Sequence, residues 1–342
     1  MDGWTKRGMS SSYLGISACF FDTTENGPKH ALLNLHQLQH PHTGEMLAQC
    51  LTSTLQQWKI SRDKLLVVVS DNGANIVKAV KLMNSATDLD ETESEGDDDD
   101  DSSDNDMGAF DEDQLSSIGW RHLPCLAHSL QLVAKEAYAS GSGYEDVLKK
   151  ARHINACFKR SSKLTEQLIA ETGKGLISEC STWWNSTHSI IQRLIEVKSV
   201  VSQLMENAKI DSLLTTEWCK LDELQLLLAP FKLHTDTLQT DFVSLSSILP
   251  SLLDIECHLQ GFPSNRHFVN KFTTTFRKRF AMYLDVNNTN FMPLIASACL
   301  LDPTVAAVIL RPETKELLEA AKNCIISMVS QYAVYVDLMS TV

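Results

Sequence analysis

Two kinds of hydrophobic pattern follow one another along the chain. In the first 138 residues, short apolar runs alternate with segments of helical period. The run 13–21 (YLGISACFF) is β-rich, and 30–38 (HALLNLHQL) partly alternates apolar with polar. Together they predict an antiparallel pair joined across 23–28 (TTENGP). Thr43-Gly44-Glu45 opens a helix that carries Leu47, Leu51, Leu55 and Trp58. The run 65–69 (LLVVV) reads as a buried strand ending at Ser70-Asp71. A helix from about 74 to 84 follows it, with Asn72 or Asn75 placed to cap it. A short strand at 121–125 and an amphipathic helix at 126–137 close this half. The stretch 1–12 (MDGWTKRGMSSS) is polar and reads as turn.

After the break at 140–144 (SGSGY), apolar residues recur at helical spacing through 145–169, 186–207, 212–233, 244–260, 266–284 and 314–337. Prolines at 230, 250, 263, 293, 303 and 312 punctuate this half, mostly at expected helix starts or ends. The fold class is therefore α/β: a mixed sheet in residues 1–138, followed by an all-helical domain in 139–342.

Charge refines this picture. The chain of 342 residues has net charge −13, but fifteen Asp and Glu, with no Lys or Arg, lie between Asp88 and Asp113. Without those fifteen the remainder stands at +2. The acidic excess thus belongs to a low-complexity insert at 87–117, which is expected to be disordered. Nine cysteines, odd in number and never in a Cys-x-x-Cys pair, fit free thiols in a reducing compartment. No apolar run approaches the roughly 20 residues of a membrane span. Two basic clusters stand out in the helical half: Lys149, Lys150, Arg152, Lys159, Arg160 and Lys163, then Arg266, Lys271, Arg277, Lys278 and Arg279. Either could track phosphates or could be a solvated helix face.

Asp71 is the first candidate for chemistry, because α/β sheets place functional carboxylates at the C-terminal ends of strands; ordinary turn chemistry is the alternative. Four short stretches accompany it in order: Asp2-Gly3-Trp4-Thr5, then SDNGAN at 70–75, Cys125-Leu126-Ala127-His128, and STWWNST at 181–187. Cys125 and His128 alone leave a structural zinc short of its usual four ligands.

In this order and spacing the stretches resemble the hAT superfamily of DNA transposases and their domesticated relatives, the BED zinc-finger-domain proteins. DGWTKRGMSSSYLGISACFF is similar to the family's D-x-W-T-S … Y-L-G segment, CLAHSLQLVAKEA to its C-f-a-H-t-l-n-L-v, and STWWNSTHSIIQRLIE to its T-R-W-N-S-t-y-x-m-l-e-R-l. LLAPFKLHTDTLQ and MPLIASACLLDPT resemble further family segments. The resemblance implies a ribonuclease-H-like core interrupted by a helical insertion. It also implies strand cutting and transfer on DNA, driven by two divalent metals on three carboxylates. It maps the first two carboxylates, and so the Mg²⁺ ligands, onto Asp2 and Asp71. Trp4 matches the family's tryptophan beside the first. His128 would lie near DNA, with Cys125 a structural partner. The Arg-Trp pair that lines the family's active site falls on Trp183 and Trp184.

Departures from the pattern set further expectations. Tryptophan stands at 183 where the family has arginine, so a phosphate-facing cation is gone. The family's central strand before the first Asp, its third carboxylate, its dimerisation segment and its BED finger are not found between Met1 and Val342. The favoured expectation is a transposase-derived nuclear protein that is catalytically inactive, binds DNA or regulates transcription, and uses no cofactor, its ancestral Mg²⁺ site not functioning. Protein partners are compatible with this, and no membrane role is expected. Two alternatives remain open: a fragment of an active transposase, and a helical interaction module without nucleic-acid binding.

Overall fold

The structure, a computed structural model, describes residues 1–5, 11–61, 64–71, 73–85, 121–138, 143–177, 184–240, 244–263 and 266–340. At positions 2, 4, 5, 85, 121, 138, 184–186, 266 and 331–340 it describes the backbone only. The acidic insert expected at 87–117 and Asn72 lie outside the described residues. The chain forms two compact units, residues 1–128 and 129–342.

The first unit is built on two ladders. Strands β1 (Asp2–Thr5), β2 (Ser12–Asp22) and β3 (Gly27–Leu38) pair antiparallel in that order. Strands β4 (Val67–Ser70) and β5 (Arg121–Pro124) pair parallel, with Val68 opposite His122 and Ser70 opposite Pro124. The Met1 amine donates to the Val69 carbonyl at 2.8 Å, bringing the start of β1 against β4. Among the described residues these are two sheets, one antiparallel and one parallel, so the β region is mixed in direction. The stretch expected as turn therefore contains a strand at Asp2–Thr5, which β2 supplies with a partner from Gly15 back to Ser12. Four residues are too short to show a period, and only pairing makes them a strand.

The β2–β3 hairpin follows the sequence reading and extends a little beyond it. Asp22 Oδ1 accepts from the Thr24 amide at 2.8 Å and its hydroxyl at 2.5 Å, and Asn26 takes positive φ at the turn. Leu33 is the extra residue of a bulge between Ile16 and Ser17, and it packs on the core while Leu32 and Leu35 face out.

Helices α1 (Gly44–Gln57) and α2 (Ala74–Ser85) pack on each other. Leu47, Leu51 and Leu55 of α1 share one core with Leu14, Ile16, Val68, Ile76, Val80 and Met83. Thr43 caps α1 by accepting from the Met46 amide at 3.3 Å. A Cβ on Gly44 would lie 2.9 Å from Lys78, so glycine permits the close approach of the two helices. Lys78 bonds Glu45 at 2.8 Å and holds its carboxyl at about 2. Asn75 lies inside the first turn of α2 instead of capping it; Gly73 precedes the helix and its carbonyl accepts from Ile76 and Val77. Helix α3 (Leu126–Tyr138) follows β5.

The second unit is helical: α4 (Tyr144–Arg160), α5 (Ser162–Thr172), α6 (Trp184–Glu196), α7 (Lys198–Asn207), α8 (Thr215–Leu238), α9 (Ile248–Gly261), α10 (Arg266–Leu284), α11 (Leu294–Leu301) and α12 (Lys315–Ser340). Ser161 divides the segment read as continuous through 145–169, because its hydroxyl caps α5 by accepting from Leu164 at 3.3 Å. Val197 separates α6 from α7 within 186–207, with no side-chain cap. Pro230 lies inside α8 and not at an end. Helix α11 is apolar but for Ser297 and is mostly buried up to the exposed Leu301, which gives it little amphipathic period to read. Phe268, Phe272, Phe276 and Phe280 form one stripe of α10 at a spacing of four. Phe231 of α8 meets Phe272 edge-on at 5.8 Å and Phe276 at 6.2 Å.

Candidate metal centre and nucleic-acid interface

Asp71 follows β4 directly and stands two residues ahead of Gly73, where α2 begins. A helix N-terminus stabilises a nearby carboxylate. Its Oδ1 is buried and has no hydrogen-bond partner among the described residues. A Cβ on Gly73 would meet that oxygen at 3.4 Å, an ordinary contact. An oriented, unsatisfied carboxylate oxygen is what a hard divalent cation takes as a ligand. The chemistry of the donor therefore fits such an ion. Among the described residues Asp71 would hold it, and a bound divalent cation would supply Lewis-acid stabilisation of phosphoryl oxygens. The structure brings the Asp2 backbone towards Asp71, since Met1 bonds Val69. The side chains of Asp2 and Trp4 are outside the described residues.

Two further residues hold the end of β4. Ser70 Oγ donates to the Asp71 carbonyl at 2.8 Å and lies 2.8 Å from His122 Nε2. Cys125 N donates to the Ser70 carbonyl at 2.6 Å. Burial pushes the His122 imidazole below its usual pKa, and Asp71 partly opposes this. Ser70 and His122 were not among the sequence candidates. Only the alternation of the strand, which turns positions 68 and 70 inward, hints at them.

Cys125 and His128 lie half-buried at the start of α3. Among the described residues no three His, Cys, Asp or Glu side chains gather as a metal-ligand group. Trp183 lies outside the described residues, and Trp184 is the first residue of α6, with its side chain not described. The structure thus neither joins these tryptophans to Asp71 nor separates them from it. In the second unit, Asp302 is engaged structurally. It accepts from Ser246 Oγ at 2.6 Å and from the amide and hydroxyl of Thr304 at 2.9 and 2.6 Å, and these bonds lower its pKa. Glu196 likewise pairs with Lys174 and Arg193.

The two basic clusters separate once their partners are known. In the second, Arg277 pairs with Glu256 at 2.7 Å and Arg279 with Glu136 at 3.4 Å, while Lys271 and Lys278 stay exposed. In the first, Lys149 pairs with Glu145 at 2.9 Å and Lys150 with Glu217 at 2.5 Å. Arg152 Nη2 donates to Thr187 at 3.3 Å. Lys159, Arg160 and Lys163 are exposed and make no ion pair among the described residues. They flank Ser161 at the turn from α4 into α5, within five positions of one another.

The family model described as the ZBED1 RNase-like domain matches residues 1–97, and that of the ZBED1 RNase-like helical domain matches 123–226. The chain belongs to the hAT-like, BED-domain family of transposase-derived proteins. Its relatives include both transposases and regulators by name. The chain is 24% identical over 323 residues to the putative AC transposase of Zea mays, covering 91% of this chain and 36% of that protein. Identity is 25% over 291 residues to the putative transcriptional regulator tpeD of Talaromyces stipitatus, covering 76% and 31%. Over 199 residues it is 23% to the zinc finger BED domain-containing protein 4 of Homo sapiens, covering 56% and 17%. The chain thus spans about a third or less of the length of these relatives. Its fold is the family's ribonuclease-H-like sheet followed by helices, and no described helix is long and apolar enough to cross a membrane.

Proposed function

We propose that this chain is the ribonuclease-H-like and helical part of a nuclear, transposase-derived protein that binds DNA without cutting it. The observation that carries DNA binding is the trio Lys159, Arg160 and Lys163, exposed and without an ion pair among the described residues at the single turn from α4 into α5, whereas Lys149, Lys150, Arg277 and Arg279 of the two basic clusters pair with Glu. Exposed cations free of acidic partners are those whose counterions a polyanion releases. Phosphate contacts carry no sequence information by themselves, so binding through this trio is general. The absence of cutting rests on Trp183, which stands where the family pattern has an arginine. A cation that meets developing charge on phosphate is commonly worth on the order of a hundredfold or more in rate.

A second reading, an active transposase, is favoured by Asp71, whose buried Oδ1 has no hydrogen-bond partner among the described residues. One set of measurements decides between them. On a random duplex, replacing Lys159, Arg160 and Lys163 together by alanine should make the slope of log affinity against log salt shallower by about 2.7, at about 0.9 per phosphate contact. Arg277→Ala with Arg279→Ala should leave that slope nearly unchanged. Salt-independent binding refutes the phosphate reading. In nicking and strand-transfer assays with Mg²⁺ or Mn²⁺ no product should form; metal-dependent cutting abolished by Asp71→Asn establishes the second reading instead.

A further inference from the structure

The polar pair behind Asp71 has no ready explanation as a source of stability. Ser70 is 2% and His122 6% exposed, on the same face of two neighbouring strands in which Val68 and Leu123 are also buried. Burying a hydroxyl and an imidazole costs desolvation that their mutual hydrogen bond only offsets, and two apolar side chains there would carry no such cost. The bonds have a direction. A serine hydroxyl has one proton, and Ser70 gives it to the Asp71 carbonyl at 2.8 Å. Ser70 Oγ must then accept from His122, so Nε2 of the imidazole carries hydrogen. The Cys125 amide closes the arrangement at 2.6 Å on the Ser70 carbonyl, tying the same peptide to the residue after β5. These bonds converge on the two backbone carbonyls at the end of β4, one of them Asp71's own. They leave untouched the Asp71 Oδ1, which has no hydrogen-bond partner among the described residues.

We infer that Ser70 and His122 are positioning residues for Asp71, locking the peptide that carries it so that its free carboxylate oxygen is presented to a divalent cation. This rests on the reading of Asp71 as a cation ligand. Ligand-orienting residues of this kind commonly cost 10–100-fold in metal affinity when removed, roughly the effect expected here.

The test uses the whole chain and Mn²⁺ as probe, with affinity read by electron paramagnetic resonance. Asp71→Asn should weaken binding. Ser70→Ala and His122→Leu should each weaken it by about tenfold or more. The double variant should be no weaker than either single, because both remove one connected chain. His122→Gln, whose side-chain amide nitrogen can donate to Ser70 Oγ, should restore most of the affinity; a merely space-filling role would be served better by leucine. Circular dichroism verifies that each variant is folded. Wild-type affinity in folded Ser70→Ala or His122→Leu overturns the inference, as does failure of glutamine to rescue. Exchange of the Cys125 amide hydrogen, measured without metal, separates the two ways of failing. If Asp71→Asn leaves Mn²⁺ binding unchanged, the cation reading falls and the presentation of Asp71 to a cation falls with it. Faster Cys125 exchange in Ser70→Ala and His122→Leu then shows a strand end that is held but serves no ion, and unchanged exchange overturns the positioning itself.

Discussion

His188 offers a perturbation whose sign runs against the usual expectation for a buried residue. It is 5% exposed on α6, and neither ring nitrogen reaches a hydrogen-bond partner among the described residues. Burial holds its pKa below the ordinary 6.5, and Lys232 pushes the same way. The Gln225 backbone and Asp236 oppose them, without supplying a bond of good geometry. Replacing it by leucine, close to it in volume and a good helix former, removes the unsatisfied polar atoms and keeps the packing. A buried unsatisfied group costs about 1–3 kcal/mol, so His188→Leu should stabilise the helical unit by up to that amount near neutral pH. Acid should widen the gap. Above 6.5 the imidazole is neutral in both folded and unfolded chains and contributes no linkage. As pH falls below 6.5, the unfolded chain takes up a proton that the folded one refuses, and wild-type stability declines until the folded pKa is reached. His122 and His258 are lowered by burial too, so the variant keeps part of the slope. Urea unfolding at about pH 7.5 and about pH 5.5, followed by circular dichroism, measures both effects. A destabilised variant, or a gain identical at the two pH values, refutes the reasoning.

Phe272 is fully buried between Phe231 and Phe268, and Phe272→Ala should cost about 3–5 kcal/mol in urea unfolding, against less than about 0.5 for the exposed Phe20→Ala. Thr54 donates to the Cys50 carbonyl at 2.8 Å and so accepts from His36 Nε2 at 2.9 Å; Thr54→Val should cost about 1 kcal/mol, and unchanged stability would refute the role of that bond.

Much of the fold was legible because the patterns are local. The alternating hairpin at β2 and β3, the buried β4 and the amphipathic α1, α2 and α3 fall where their periods place them, to within a few residues. Ordered motifs identified the family, which the paired matches to the RNase-like and helical domains support. Asp71 was a candidate from sequence because a strand end before a helix is itself a local signal, and the structure places it directly after β4.

What escaped depends on partners distant in the chain. Asp2–Thr5 is a strand only because β2 pairs with it, and α11 is a short, nearly uniformly apolar helix whose burial its sequence does not pattern. Pro230 lies within α8, and Ser161 divides two helices by capping the second, although apolar period alone ran through both. The same holds for chemistry. Ser70 and His122 are 52 positions apart, and parallel pairing of β4 with β5 makes them neighbours. The sequence alone determined the order of elements, the location of charge and the candidate carboxylates, since these are properties of residue type and spacing. Tertiary structure decided which lysines and arginines have acidic partners and which Asp71 oxygen has none among the described residues. A charge's partner is set by the chain that folds against it, and that chain can lie anywhere in the sequence.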